Sequence, residues 1–347
     1  GYWAGGQNPK TSRTVRLDYS NDTTWGTTKG PLNASKYNVE GAGNGSYGYF
    51  AGGSTGVPST DPSVVDRLDY SNDTATASPK GNLSAKMSDD AATANGSYGY
   101  FAPGPGGLPN KRSIDRVDFS NDTATASPRG NIINDADGRM GISPLENGLP
   151  SPTIKTVDKG AAGYTISTPI DAGNYGYWSG GYNYGGSGDT TSIERINFTN
   201  DTATASVRSN ITSPGQGQSA SSNGSYGYVF GGNIVPSKTH IQRIDYSNDS
   251  AAASPKGNFA VQKGMTAGAG NNDYGWHTGG IYGLPNPRLV YSTVARIDYS
   301  NDTATASVRG PLAATRGYHQ GAGNANYGYF AAGSPSGVFG PVSSNVQ

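Results

Sequence analysis

The 347-residue chain predicts an all-β fold, a β-propeller of seven four-stranded blades, with eight blades as the alternative. Three observations carry that expectation. A phrase of the form Arg-[Leu/Val/Ile]-[Asp/Asn]-[Tyr/Phe]-[Ser/Thr]-Asn-Asp-[Thr/Ser] begins at Arg16, Arg67, Arg116, Arg195, Arg243 and Arg296. A second phrase, Tyr-Gly-[Tyr/Trp]-x-x-Gly-Gly or a near variant, begins at Tyr47, Tyr98, Tyr175, Tyr226, Tyr274 and Tyr327, and Gly1–Gly6 repeats its tail. Glycine, at 53 residues, is about double its usual share. Yet 23 tyrosines with regularly placed Val, Ile and Phe supply the apolar area that a disordered chain lacks.

Each phrase alternates aromatic or branched residues with small or polar ones, the period-two pattern of a strand. Ser-Asn-Asp follows the first phrase, and its short side chains bond their own backbone and tolerate tight turns. It therefore reads as the bend of a hairpin that returns through Thr-Ala-Thr-Ala-Ser. The segment after it, such as Ala85 to Asn95, is small and polar and leads into the next Tyr-Gly-Tyr strand as a fourth, weakest strand. Four short strands in about 50 residues make one blade. Successive arginine starts differ by 51, 49, 79, 48 and 53 residues. Within the long gap, Gly148-Leu149-Pro150 and Thr153–Asp158 parallel Gly107-Leu108-Pro109 and Ser113–Asp118, with Thr156 in the arginine's place, dividing 79 into 40 and 39. Counting that worn copy gives seven units.

The repeats are expected to occupy residues 1–326. Gly1–Gly6 and Tyr327–Gly333 match the same strand position and compete for one place, so residues 327–347 read as a redundant strand with the start of a further repeat, or as a linker or contact arm. The innermost strand of the mixed closing blade is expected from Gly317–Asn324. Gly1 enters in mid-strand and Ser343–Gln347 stops where another arginine phrase is due, so the chain is expected to be a piece of a longer array.

A strand ending in Gly-Gly, a loop, a strand ending in Asp-Tyr, a polar turn and a further strand together resemble the kelch repeat, and the resemblance spans essentially the whole chain. Kelch units usually carry a tryptophan after the turn, and here only Trp25 does so. The wording Asp-Tyr-Ser-Asn-Asp-Thr-Ala-Thr-Ala-Ser is also similar to repeats in structural or fibre proteins of aquatic bacteria and their phages.

A lone blade cannot bury both of its faces, so each is sandwiched between neighbours and one interface solution is reused around the ring. In Arg67–Ser71, Leu68 and Tyr70 point one way, while Arg67, Asp69 and Ser71 point the other. Arg16, Arg67, Arg116, Arg195, Arg243 and Arg296, with Asp18, Asp69, Asp118, Asp245 and Asp298, therefore read as repeated structural residues. Each arginine is expected to bond a carboxylate or carbonyl within or between blades, since its planar fork suits buried pairing. Asn-Asp-Thr and Asn-Gly-Ser are formal glycosylation sequons, but every copy falls where a turn is needed.

No residue pattern points to catalysis or to a cofactor. Ser20–Trp25 resembles the Asp-box turn of sialidase propellers, but the arginine cluster, tyrosine nucleophile and acid of that family have no counterpart that can be placed here. Asp135-Ala136-Asp137-Gly138 matches part of a calcium loop, with Ile133 at the first ligand position where an oxygen donor is required. His240, His277 and His319 share no ligand spacing, and the chain has no cysteine, which removes thiolate sites and a cysteine-tyrosine copper centre together. No metal site is expected.

Twenty-five basic residues balance 25 acidic ones without long runs, so no nucleic-acid partner is expected. No apolar run approaches the roughly 18 residues of a membrane span, so no membrane insertion is expected. Tyr182, Tyr184, Tyr282 and Tyr291 fall in loops after or near Gly-Gly pairs, where exposed rings over a rigid scaffold stack sugars or grip proteins. The reading is a non-enzymatic structural or adhesion module, of phage-fibre, decoration or receptor-binding type, placed outside the cell or on a virion surface. Its partner would be a host-surface glycan or protein, or neighbouring subunits. A carbohydrate-binding, lectin-like ring is the alternative and a glycoside-processing enzyme the third reading.

Overall fold

The computed structural model describes residues 12–55, 63–87, 91–103, 112–133, 139–143, 174–183, 188–232, 238–282 and 289–334. Its main sheets are six antiparallel four-stranded blades around one axis. Blade 1 runs outward through Glu40–Gly43, Tyr47–Ala51, Val64–Asp69 and Ser78–Asn82. Blade 2 comprises Ala91–Ala94, Tyr98–Ala102, Ser113–Asp118 and Ser127–Asn131, and blade 3 Met140–Ile142, Tyr175–Ser179, Ser192–Asn197 and Ser206–Asn210. Blade 4 comprises Ser219–Ser222, Tyr226–Phe230, His240–Asp245 and Ser254–Asn258, and blade 5 Ala267–Gly270, Tyr274–Thr278, Val294–Asp298 and Ser307–Val308. Blade 6 closes the ring from both ends of the chain, joining Gly317–Gly323 and Tyr327–Ser334 to Thr14–Asp18 and Thr27–Lys29. The second strand of this closing blade is Tyr327–Ser334, with Thr14 opposite Ala331 and Asp18 opposite Tyr327. Gly1–Gly6 lie outside the described residues.

The ring has six blades, not the expected seven or eight. Arg116 of blade 2 bonds Asp201 of blade 3 at 2.7 Å, and the Tyr100 hydroxyl reaches the same carboxylate at 3.1 Å. No blade fits between two sheets in direct contact. The copy around Thr156 falls between the first and second strands of blade 3, outside the described residues, and it has neither the arginine nor the Asn-Asp turn that joins one blade to the next. Every unit that keeps both makes a blade.

The innermost strands explain why the ring is narrow. Gly41, Ala92, Gly141, Ala220, Gly268 and Gly321 surround the axis and leave a cavity of about 20 Å³, about one water's worth of space. A Cβ on Gly141 would lie 2.0 Å from the Ala92 carbonyl oxygen, and one on Gly268 1.9 Å from that of Ala220. Only the smallest side chains let six backbones meet there. The next strand is buried on both sides: in Tyr47–Ala51 every residue after Tyr47 is inaccessible. Six apolar clusters fill the six interfaces, for example Tyr49, Val65, Phe101 and Val117 between blades 1 and 2.

The outer hairpin differs in detail from the sequence expectation. After Asp69 the chain makes one 3-10 turn, Tyr70–Asn72, and the outer strand begins only at Ser78. Thr-Ala-Thr-Ala is not strand because it lies against the preceding blade: Gly30 N–H donates to the Asp73 carbonyl at 2.9 Å and Ala77 N–H to that of Pro31 at 2.8 Å.

Candidate functional site

The strands run between two unlike faces. One, the turn face, carries the Asn-Gly-Ser hairpins and the Asp-Tyr-Ser-Asn-Asp turns. The other, the glycine face, carries the connections that follow the Gly-Gly pairs. Gly52 and Gly53 have φ of 63° and 91°, and the pairs at 180, 231 and 279 behave alike. That left-handed backbone favours glycine and turns the chain out of the blade at a fixed point.

Between the faces lies the repeated arginine. Arg16, Arg67, Arg116, Arg195, Arg243 and Arg296 donate to Asp73, Asp122, Asp201, Asp249, Asp302 and Asp22 of the next blade at 2.6 to 3.1 Å. Their side chains are only 21 to 27% exposed. Each guanidinium also lies over the first tyrosine of its blade's second strand, 4.0 to 4.8 Å from the ring centroid. Five of the receiving carboxylates, all but Asp73, are seen to take an aromatic donor as well, a phenol hydroxyl from Tyr49, Tyr100, Tyr177 or Tyr228 at 3.1 Å, or the Trp276 indole N–H at 2.7 Å. A second cation, such as Lys29 on Asp73 at 3.0 Å or Arg208 on Asp249 at 2.9 Å, completes the cluster. Burial, with the neighbouring carboxylate, pushes these tyrosine hydroxyls well above their ordinary pKa.

Sequence reasoning passed over these six receiving aspartates. The signal was present: an Asp closes every Asn-Asp copy without exception. Asp18, Asp69, Asp118, Asp245 and Asp298 instead stay on the turn face, four of them capping a 3-10 turn and Asp118 holding Ser120 in the equivalent bend. Asp69 accepts from Ser71 N–H at 2.8 Å and from its hydroxyl at 2.6 Å. Asn197 does the same in blade 3, accepting from Thr199 N–H at 2.9 Å and its hydroxyl at 2.7 Å. The serine hydroxyl contributes most to holding the Asp69, Asp118 and Asp298 carboxyls below the usual range.

Two open grooves appear on the turn face, in neighbouring interfaces. One, of about 340 Å³, lies between blades 5 and 6 and includes Asp18, Ser20, Asn271, Tyr274, Asn326 and Tyr327. The other, of about 310 Å³, lies between blades 4 and 5 and includes Asn223, Tyr226, Asn272, Tyr274, Asp298 and Ser300. Corresponding positions supply both.

On the glycine face, the connections differ from blade to blade. In blade 3, Tyr182–Asn183 pairs with Gly188–Asp189 as a short ribbon, and in blade 5 Ile281–Tyr282 pairs with Leu289–Val290. Tyr282 and Leu289 are 39% and 51% exposed, while Tyr182 and Tyr291 are half-buried. Burial first, then the nearby Tyr282, raises the Tyr291 hydroxyl pKa. Tyr184 lies outside the described residues, as does the Asp135–Gly138 segment.

This face also covers a cluster of buried bases that no sequence pattern marked. Lys263 donates to the Thr293 hydroxyl at 3.0 Å, and burial brings its ammonium down to about 7. Its Nζ has no carboxylate partner among the described residues. His277 bonds Ser219, and His319 bonds the Thr278 hydroxyl at 2.9 Å. Burial, with Arg316 and Lys263 nearby, lowers His319 to about 3, and burial with Lys263 and His319 keeps His277 neutral as well. Among the described residues no group of three or more His, Cys, Asp or Glu could hold a metal ion.

No family model matches the chain, and no curated protein sequence matches it. Among solved structures, that of YjhT superposes with a TM-score of 0.62 at 8% identity, covering 84% of this chain and 88% of its own. The fold is thus that of a β-propeller with repeated blades. At such identity the likeness carries the fold alone, and neither the kelch-like wording nor the phrasing similar to phage and bacterial structural proteins gains support from it.

Proposed function

We propose that this propeller is a non-enzymatic adhesion or structural module that engages its partner through the connections of the glycine face, outside the cell or on a virion surface. The observation that supports this best is the contrast within one chain. Six blades repeat the same strands and the same interblade cluster, while the connections after the Gly-Gly pairs diverge and two are built out as ribbons presenting Tyr282 and Leu289. Rigid scaffolds beneath dissimilar loops suit recognition, because the loops vary without disturbing the interfaces below them. The repeated ionisable groups have structural uses: each receiving aspartate is engaged by the preceding blade, and each capping aspartate holds a turn.

The test is a graft. The ribbons of blades 3 and 5 leave their blades at the same bond as the shorter connection of blade 4: Gly180 to Ser192 at 3.3 Å, Gly279 to Thr293 at 2.9 Å and Gly231 to His240 at 2.9 Å. Replacing only the outer parts, Tyr182–Asp189 and Tyr282–Leu289, with the outer part of that connection, while keeping the buried Ile281 and its bonds to Gly264, should leave the unfolding midpoint near the wild-type value and abolish attachment to labelled cells or particles of the native source. Unaltered attachment, or turnover of a glycoside by the pure protein, refutes the proposal.

A further inference from the structure

We infer that the turn-face grooves between blades are binding sites for neutral saccharides, repeated around the ring. The inference is independent of the glycine-face ribbons and uses the opposite surface. At about 340 and 310 Å³ the two grooves stand at the small end of ligand sites, with room for a single pyranose. Their lining has the chemistry a sugar requires. Tyr274 contributes to both grooves, and Arg296 over its ring at 4.2 Å holds it in place before any ligand arrives. An aromatic ring so fixed suits the apolar C–H face of a pyranose.

The hydroxyl edge has partners as well. Ser300 N–H and hydroxyl both bond Asp298 Oδ1, at 2.9 and 2.7 Å, and an ionised carboxylate has about four acceptor positions, so capacity remains for sugar hydroxyls. Asp18 is held in the same way by Ser20 in the neighbouring groove, at 2.9 and 2.6 Å. The side-chain amides of Asn272 and Asn326 can add both donors and acceptors. No basic side chain lines either groove, which disfavours an anion, and no continuous apolar wall is present for a lipid chain.

The same parts recur at other interfaces. Asn44, Asn95, Asn223, Asn271 and Asn324 each accept from the N–H of the following tyrosine at 2.8 to 2.9 Å, setting ring and amide in one arrangement. Asp69, Asp118 and Asp245 hold their serines as Asp18 and Asp298 do. Weak sites spaced around a rigid ring gain avidity for a polymer or a glycosylated surface without any new contact.

The experiment uses the full chain, a panel of free neutral hexoses and N-acetylhexosamines in saturation-transfer NMR, and the same sugars linked to polyacrylamide in calorimetry. The decisive variant replaces Asp18, Asp69, Asp118, Asp245 and Asp298 together by Asn. Asn197 already caps this turn in blade 3, so the fold should persist, with an unfolding midpoint near that of the wild type. Loss of a hydrogen bond to a charged acceptor should weaken each groove by about tenfold or more, and the polyvalent ligand by more. Absence of transfer from every sugar overturns the inference. So does undiminished binding by the five-fold variant, or binding lost instead on replacing Tyr182 and Tyr282 by Ala. A response to calcium chloride in place of sugar also overturns it, because it would make the carboxylates a cation site.

Discussion

Replacing Asp22 by Ala should cost about 3 kcal/mol, and the figure follows from what the carboxylate holds. Asp22 lies on the N-terminal part of blade 6, which no peptide bond connects to blade 5 directly. Its carboxylate accepts from Trp276 Nε1 at 2.7 Å and Arg296 Nη1 at 3.1 Å, with Arg309 Nε at 3.7 Å. Trp276 is fully buried, so its indole N–H would have no acceptor and no water, a loss of roughly 1 to 3 kcal/mol. The Arg296 and Arg309 side chains are 21% and 24% exposed and can turn partly to solvent, so together they add only about 1 kcal/mol. The backbone bond from Gly310 to the Asp22 carbonyl survives. Asp22→Asn keeps an acceptor for the indole and should cost about half as much. Urea unfolding with an unchanged m-value would give the difference directly, and for a chain of this length 3 kcal/mol corresponds to roughly 4 °C in Tm. A loss below about 0.5 kcal/mol for the alanine variant, or equal losses for Ala and Asn, would refute the reasoning.

Gly268→Ala places a methyl group against the Ala220 backbone carbonyl at the axis, where neither strand can yield alone, and should destabilise by about 2 kcal/mol in the same urea assay. A change indistinguishable from that of an exposed site would show the axis to be loosely packed. The buried bases set a pH dependence whose sign is fixed. Lys263 titrates at about 7 folded against 10.5 in its ordinary state, so the unfolded chain binds more protons between those values and stability rises with pH across that window. His319, at about 3 against 6.5, has the same sign lower down, and stability is lost as pH falls from 6.5 towards 3. His277 faces Lys263 and His319 and adds to the acid limb. Lys263→Met should therefore flatten the profile between pH 7 and 10 and raise Tm at neutral pH, and it should weaken the acid limb only in part, because burial is the larger cause for both histidines; an unchanged alkaline slope would exclude Lys263 as its source.

Much of this architecture could be read from the chain because identical local problems were solved with identical words. The strands of the two anchoring phrases and a closing blade drawn from both ends follow from period and spacing, whereas Thr-Ala-Thr-Ala, which alternates like a strand, does not form one. The blade count did not follow, because Thr153–Asp158 imitates the strand wording of Ser113–Asp118 without the parts that join blades. Period two places Arg67 opposite Leu68 but does not name its partner. Asp69 lies nearest in sequence, yet the chain leaves the strand there and the carboxylate is taken by Ser71; the partner is Asp122, 55 residues on. The buried bases were not legible either. Ser219, His277 and His319 come from three successive blades, and only the curvature of the ring brings them together.

The two faces also obey different rules at adjacent positions of one strand. The arginine of the third strand points across the interface to the same aspartate in all six blades. The residue just before it is Val15, Asp66, Asp115, Glu194, Gln242 or Ala295, and where it is polar it serves the local connection on the glycine face. Asp66 pairs with Lys36 at 3.2 Å, Asp115 takes Ser84 N–H at 2.6 Å, Glu194 takes Ile133 N–H at 2.8 Å and Gln242 takes Thr212 N–H at 2.6 Å. Lys36 and Lys263 both stand five residues before the axial glycine, Gly41 and Gly268, but the place of Asp66 falls to Ala295 in blade 5. Burial lowers the pKa of both lysines, and Asp66 offsets it in part for Lys36, whereas Ala295 offers Lys263 no such compensation. Turn-face residues remain alike because each must fit a neighbour identical to itself. Glycine-face residues share no such constraint, and the bonds they make between blades, such as Ser219 with His277 and Thr278 with His319, differ from interface to interface, so the ring has one face of repeated parts and one of individual loops.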